Sequence, residues 1–232
     1  MDKKIESIAI DGVAGVGKST IAKMLAEKLG WKTLETGAIY RAITASLLAK
    51  NYDVKDEDFV GNIAQNLFIE VKYLKGVQHV FVDGMDLTAY LRGGAVENNV
   101  PFVAKVPEVR EKVRAVQRQI AESENIVVEG RDIGTVVLPN SQNKIFLTAD
   151  PKVRATRRFK QLCAKGQKPS MRKIYADILK RDELDRTRAI SPLVPADDAF
   201  VVDTSDMQAT EVVDLILTKI KTKEKSLGAE KE

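Results

Sequence analysis

Gly12-Val13-Ala14-Gly15-Val16-Gly17-Lys18-Ser19, placed directly after the apolar run Ile5–Ile10, decides how the rest of the chain is read. The stretch fits G-x-x-x-x-G-K-[ST]. Glycines free to adopt positive φ leave no side chain in the way, so backbone N–H groups can converge on anionic oxygens; Gly12, Gly15 and Gly17 are read in that role. Lys18 brings a point charge to the β and γ phosphates of a nucleotide, and Ser19 offers a hydroxyl to Mg²⁺. The helix that starts there adds its positive N-terminal dipole. The flanks agree: Ile8 and Ile10 read as a strand before the loop, and Ile21, Met24, Leu25, Lys28 and Leu29 follow it at helical spacing.

A chain of 232 residues buries a full core as one domain, with room for a small insertion. The lone Cys163 forms no internal bridge, so cysteine usage suits a reducing compartment. Met1-Asp2-Lys3-Lys4 leads straight into the first strand without an apolar leader, and no apolar run approaches the roughly 18 residues of a membrane span. A cytoplasmic protein without membrane contact is expected. Lys+Arg 37 against Asp+Glu 33 leaves +4, which suits anionic ligands and is too small to imply nucleic acid.

Past the first helix, Trp31–Glu35 reads as a short strand ended by Thr36-Gly37, and Ala38-Ile39-Tyr40-Arg41 opens a helix to about Lys50. An acidic loop follows around Asp53–Asp58. From Leu67 the period falls to two: Leu67, Ile69, Val71 and Tyr73 share one face, Lys75-Gly76 reads as a turn, and Asp83-Gly84 is a hairpin signal. This antiparallel meander reads as an insertion in an otherwise alternating strand and helix chain. His79, the only histidine, is expected on its exposed face without a catalytic part.

Pro107 starts a helix whose apolar stripe is Val109, Val113, Val116 and Ile120; of Arg110, Arg114 and Arg118, only Arg110 borders that stripe. Ile126-Val127-Val128 reads as a fully buried strand, and Glu129-Gly130-Arg131-Asp132-Ile133-Gly134 stands at its end, where open parallel sheets gather ligands. A later helix carries Arg154, Arg157 and Arg158, and the loop Ala164–Ser170 that interrupts it suits a lid over phosphates or a solvated basic loop. On the next helix, Ile174 and Ile178 define an inward face that Arg181, Asp185 and Arg188 continue. Buried charges there read as one wall of an anion or sugar site, or as a structural ion-pair cluster. A last strand (Ala199–Val202) and helix (Val212–Ile220) precede a charged tail without periodicity. The fold class is α/β, a parallel sheet flanked by helices.

A phosphate loop says nucleotide, not which reaction. A guanine-nucleotide switch needs Asn-Lys-x-Asp, and Asn143-Lys144-Ile145-Phe146 lacks the acid. A nucleic-acid motor needs stacking positions, and aromatics are only 6%. A small-molecule phosphotransferase needs arginines from several segments, which Arg41, Arg110, Arg131, Arg154, Arg157, Arg158, Arg181 and Arg188 can supply. A non-nucleotide acceptor, UMP, or a regulatory ATP-binding module that engages a protein or RNA remain alternatives at this stage.

Ile10–Ser19, Thr36-Gly37-Ala38-Ile39-Tyr40-Arg41, Pro107-Glu108-Val109-Arg110, Glu129–Val137, Arg181-Asp182 to Arg188 and Ser191-Pro192-Leu193 together resemble the bacterial cytidylate kinase family, nearly end to end and in order. The resemblance implies a P-loop NTPase sheet with the meander in an acceptor-binding insert and a short lid, and γ-phosphoryl transfer from ATP with Mg²⁺ to CMP or dCMP by a monomer. It divides the chain into core (1–37, 106–154, 171–222), insert (38–105), lid (155–170) and a frayed tail (223–232). Residue by residue, it implies Lys18 on the donor phosphates with the loop Gly12–Ser19 and Thr20, and Ser19 on Mg²⁺. Arg157 or Arg158 would cover ATP from the lid. Arg41 and Arg131 would grip the acceptor phosphate near Tyr40 and Thr36, Arg110 and Asp132 would read cytosine, and Arg181 and Asp185 would contact ribose. Arg188 would sit by the phosphates. Lys18, Arg131 and Arg188 are thus the catalytic set. Pro101 departs from the family, which places a base-reading serine there, so that contact is either lost or taken by a neighbour such as Asn98 or Asn99.

Overall fold

The computed structural model describes residues 5–229, with side chains to residue 223. In chain order it contains β1 (Ser7–Gly12), α1 (Lys18–Leu29), β2 (Lys32–Glu35), α2 (Thr36–Ala49), α3 (Glu57–Asn66), β3 (Ile69–Leu74), β4 (Val77–Val82) and β5 (Met85–Asp86). A 3₁₀ turn (Thr88–Tyr90), α4 (Gly94–Ala104), α5 (Pro107–Ser123), β6 (Ile126–Glu129) and a π-helical turn (Ile133–Val137) follow. β7 (Asn143–Thr148), α6 (Pro151–Ala164), α7 (Met171–Thr187), β8 (Phe200–Asp203) and α8 (Ala209–Ala229) complete it. The larger sheet has five strands in the order β2-β6-β1-β7-β8, with β1 parallel to both β6 and β7 and β7 parallel to β8. The chain divides into two compact units, one of Glu6–Lys32 with Ile126 onward and the other of Thr33–Asn125.

In the first unit, β1 and β6 are apolar on both faces, as central strands of a covered parallel sheet must be: Ile8, Ala9, Ile10, Ile126, Val127 and Val128 are fully buried. Leu25 of α1 and Val213 and Ile216 of α8 pack into the same core. Register aligns Ile10 with Glu129, and Gly130 N donates to the Ile10 carbonyl at 2.9 Å. The carboxyl ends of two neighbouring strands therefore hold the glycine-rich loop beside Glu129-Gly130-Arg131-Asp132. Gly12 has a further reason to be glycine. At φ 150°, a Cβ built there would lie 2.2 Å from the Leu147 carbonyl oxygen, so the close approach of β7 also requires the missing side chain. Gly15 (φ 73°) and Gly17 (φ 103°) keep the positive φ that the loop needs. The tail expected to fray from residue 223 is helical as far as Ala229. Lys, Glu, Leu and Ala there are good helix formers, and propensity carries the helix beyond its apolar stripe; residues 230–232 lie outside the described residues.

In the second unit, β3, β4 and β5 form the antiparallel meander. Both of its turns have two consecutive positive-φ residues, Lys75-Gly76 and Asp83-Gly84, the geometry whose twist matches a two-residue hairpin. His79 is not on an open face: it is half-buried, with Nδ1 2.7 Å from Asp86 Oδ2. Seven residues separate the pair, which meets only because β4 and β5 pair. Thr36-Gly37 forms the first turn of α2 rather than ending the strand. Within the acidic stretch, Asp56 caps α3 by accepting from Phe59 N at 3.0 Å. The buried stripe of α5 is Val109, Arg110, Val113, Gln117 and Ala121, so Arg110 lies within it, whereas Val116 and Ile120 are only half-buried.

Candidate active site

In the first unit, Lys18 opens α1 and folds back over the loop that precedes it, its Nζ donating to the carbonyls of Gly12 (2.8 Å) and Val13 (2.9 Å). Burial pulls the ammonium down to about 7; the Arg131 guanidinium adds to this, and Glu129, Asp11 and Asp185 oppose it. Ser19 Oγ donates to Glu129 Oε1 at 2.7 Å. A hydroxyl beside a carboxylate is an all-oxygen donor set, and no cluster of three or more His, Cys, Asp or Glu suited to a metal occurs among the described residues. That fits magnesium, which takes one or two protein oxygens and fills its shell with phosphate and water.

Asp11, the last residue before the loop, is buried and accepts from Ile133 N (2.8 Å) and Gly134 N (2.7 Å) at the start of the π-helical turn. Burial raises its carboxyl to about 6, against the two backbone donors that lower it. Between about pH 4 and 6 the folded chain holds a proton that the unfolded chain has released, so this group's contribution to stability falls as pH rises through that window.

Arg131 Nε donates to Asp185 Oδ2 at 2.8 Å. Burial pushes Asp185 up, but Arg131, with Arg181 and Arg188, outweighs it and holds the carboxyl below the usual range. Arg188 caps the C-terminus of α7. Its Nε donates to the Ser191 carbonyl and its Nη2 lies 3.9 Å from Asp132 Oδ1. The inward side of α7 is Ile174, Ile178, Asp182 and Asp185, while Arg181 is exposed. Helical spacing admits either 181 or 182 after Ile178, and a partner decides: Arg154 binds both oxygens of Asp182 (3.1 and 2.6 Å). Arg154, 3% exposed, also donates to the carbonyls of Ala149 (2.9 Å) and Ala14 (3.0 Å). It is a strut beneath the glycine-rich loop. Asp182→Asn leaves that buried guanidinium without its counter-charge, and we expect a loss of about 2–3 kcal/mol in urea unfolding, at or just below the low end for a broken buried pair because Asp182 is partly exposed. Arg157 reaches Thr204, with Nη1 3.1 Å from its hydroxyl and Nη2 2.5 Å from its carbonyl; Arg158 is half-buried on the same helix. The loop between α6 and α7 is residues 165–170.

In the second unit, Thr36 is buried in the first turn of α2, and Tyr40 and Arg41 follow one turn on. Arg41 is paired with Glu35, the last residue of β2. Arg110, 5% exposed, donates from Nη1 to the Ala104 carbonyl at 3.2 Å, and its guanidinium lies 5.9 Å from the Tyr40 ring centroid. Pro101 sits inside α4 on its exposed side. Asn98 is exposed, and the Asn99 amide donates to the Ala95 carbonyl at 2.9 Å.

A family model described as cytidylate kinase matches residues 8–222. The chain belongs to the cytidylate kinase family. A cytidylate kinase of Shouchella clausii strain KSM-K16 is 46% identical over 215 residues, covering 93% of this chain and 96% of that one. A cytidylate kinase of Bacillus subtilis strain 168 is 43% identical, with 96% and 99% covered. Among solved structures, an uncharacterized protein from Eubacterium ventriosum ATCC 27560 is similar at TM-score 0.53 and 13% identity, covering 93% of this chain and 98% of that one; this shows the fold alone.

This member of the cytidylate kinase family is a phosphotransferase on a parallel five-stranded sheet. Lys18, Ser19, Arg131, Asp132, Asp185 and Arg188 lie in one unit, and Thr36, Tyr40, Arg41 and Arg110 in the other. Sequence reasoning passed over Asp11, Asp182, Glu35 and Arg92. For Asp11 the signal was present: an acid ending an apolar strand needs donors. Asp182, Glu35 and Arg92 carry no periodic signal, because their partners are distant in sequence.

Proposed function

We propose that this kinase transfers the γ-phosphoryl group of ATP to CMP or dCMP, giving CDP or dCDP. The observation that carries this is the buried Lys18 at the mouth of a glycine loop, with Ser19 on Glu129 and the charged groups Arg131, Asp185, Asp132 and Arg188 around the same strand ends. Lys18 exchanges its two loop carbonyls for donor phosphate oxygens, and the loop with Thr20 cradles those phosphates. An oxygen of the acceptor phosphate attacks the γ-phosphorus as the bond to the bridging oxygen breaks and ADP leaves. Arg131 and Arg188 stabilise the charge on the transferring group. The acceptor phosphate is already anionic at pH 7, so no general base is needed. Ser19, with Glu129 beside it, would hold Mg²⁺, which would supply positive charge to the donor phosphate oxygens.

In the same reading Arg41, with Thr36 and Tyr40, holds the acceptor phosphate, and Arg181 and Asp185 serve the ribose. Arg110 donates to the carbonyl O2 and N3 of cytosine while Asp132 accepts from its amine. Arg157 or Arg158 covers ATP from a lid of residues 155–170, and 38–105 is the acceptor insert. The enzyme works as a cytoplasmic monomer. An acceptor panel tests this: with ATP and Mg²⁺, ADP forms fastest with CMP or dCMP and at least about tenfold more slowly with UMP, AMP or GMP. No ADP above the rate without acceptor rejects the kinase reading; UMP equal to CMP rejects the base-reading roles of Arg110 and Asp132, since uracil has a carbonyl where cytosine has an amine.

A further inference from the structure

We propose that Arg92 is a second arginine on the acceptor phosphate, acting with Arg41, and that the Glu35 carboxylate holds the pair in place until that phosphate arrives. The proposal rests on the reading of the acceptor as a nucleoside monophosphate.

Two guanidiniums from separate segments converge on one carboxylate. Arg41, six residues along in α2, puts Nη2 on Glu35 Oε1, and Arg92, after the 3₁₀ turn, puts Nη2 2.9 Å from Oε1 and 3.1 Å from Oε2. Two guanidinium charges face the single negative charge of Glu35, and a phosphate dianion that takes the place of Glu35 on the arginines matches both charges where one carboxylate matches one. The arginine fork accepts either anion with the same donors.

The surroundings fix the geometry. Glu35 is held through its backbone by the Gln78 amide of β4, whose Oε1 accepts from Glu35 N (2.8 Å) and whose Nε2 donates to the Glu35 carbonyl (3.2 Å). Gly37 gives Arg41 room to lie over the first turn of α2: a Cβ there would come within 3.2 Å of Nη1 and 3.4 Å of Nη2. Glu35 is the N-cap residue of that helix, yet its side chain caps nothing and goes to the arginines instead. The pair therefore lies at the positive end of α2, which adds to its preference for an anion. The Arg92 side chain is 63% exposed while Glu35 is 23% exposed. Such an arginine, reaching onto a sheltered carboxylate that already has a partner, gains little as a surface ion pair. As a substrate arm it has a use.

Dissociation constants for CMP and for cytidine, measured by titration calorimetry on the full chain, separate the phosphate contact from base and sugar contacts. Arg92→Met keeps the apolar stem; it weakens CMP about tenfold to a hundredfold, the range of a charged hydrogen bond, and leaves cytidine unchanged. Arg92→Lys recovers part of the loss. Glu35→Gln, which removes the competing charge, tightens CMP several-fold with cytidine again unchanged. An Arg92→Met variant that binds CMP as the unmutated chain does, or loses cytidine equally, overturns the role of Arg92. A Glu35→Gln variant that binds CMP more weakly overturns the placeholder role of Glu35. If the unmutated chain itself binds CMP no more tightly than cytidine, the acceptor reading fails, and this inference with it.

Discussion

Lys18→Met lowers kcat with ATP and CMP by about 10³-fold and leaves the chain folded. The expected loss follows from where the ammonium sits. It is buried, it already donates into the loop to the Gly12 and Val13 carbonyls, and no bulk water screens it. A fixed charge in such a place is worth far more to a transferring phosphoryl group than the same charge in water, and losing one preorganised donor or cation commonly costs about 10²–10⁵ in rate. The fold tolerates the change for the reason that depresses the Lys18 pKa: burial of a charge opposes folding, and Met replaces the stem with apolar volume. Steady-state rates and thermal unfolding of the same preparation check both halves. A folded variant that retains the kcat of the unmutated chain removes Lys18 from the chemistry.

Arg188→Ala is expected to lower kcat by about 10²- to 10³-fold, with a stability loss of no more than about 1 kcal/mol. Its side chain is 24% exposed and its Nη2 lies 3.9 Å from Asp132 Oδ1, too far for a hydrogen bond. Arg154 is the contrast, an arginine whose three nitrogens are all engaged, on Asp182, Ala149 and Ala14. Arg188 does bind the Ser191 carbonyl where the chain turns at φ 53°, and Leu193 N returns to the Asp185 carbonyl at 2.8 Å. If Arg188 serves only to hold that turn, Arg188→Ala unfolds partially while its folded fraction keeps full specific activity. Circular dichroism combined with active-fraction titration distinguishes the two outcomes.

What could be read before the structure was the part that local physics dictates. The glycine loop fixes its own backbone, β1 and β6 announce burial as unbroken apolar runs, and the double turn of the meander is written in Lys75-Gly76 and Asp83-Gly84. Arg110 was legible because a charge beside an apolar helical stripe needs an enclosed partner. Contacts between segments were not legible. Glu35 and Arg92 stand 57 residues apart, Arg154 and Asp182 stand 28 apart, and nothing periodic links either pair. Helix α4 was hidden because Pro101 lies inside it, a residue that usually ends a helix by removing a donor. Helix α3 was hidden behind acids that read as loop until Asp56 is seen to cap it. Gly12 shows a different limit: its place in the motif is correct, but the neighbour that requires a glycine there is the Leu147 backbone of β7.

Transfer of phosphorus is the central claim, and isotope tracing tests it most directly. The chain is incubated with Mg²⁺, CMP and ATP labelled at the γ-phosphorus, and the products are separated. The account predicts label in the β-phosphate of CDP, in amounts equal to the ADP formed. Label recovered as inorganic phosphate, or remaining in ATP after many enzyme equivalents of time, contradicts it.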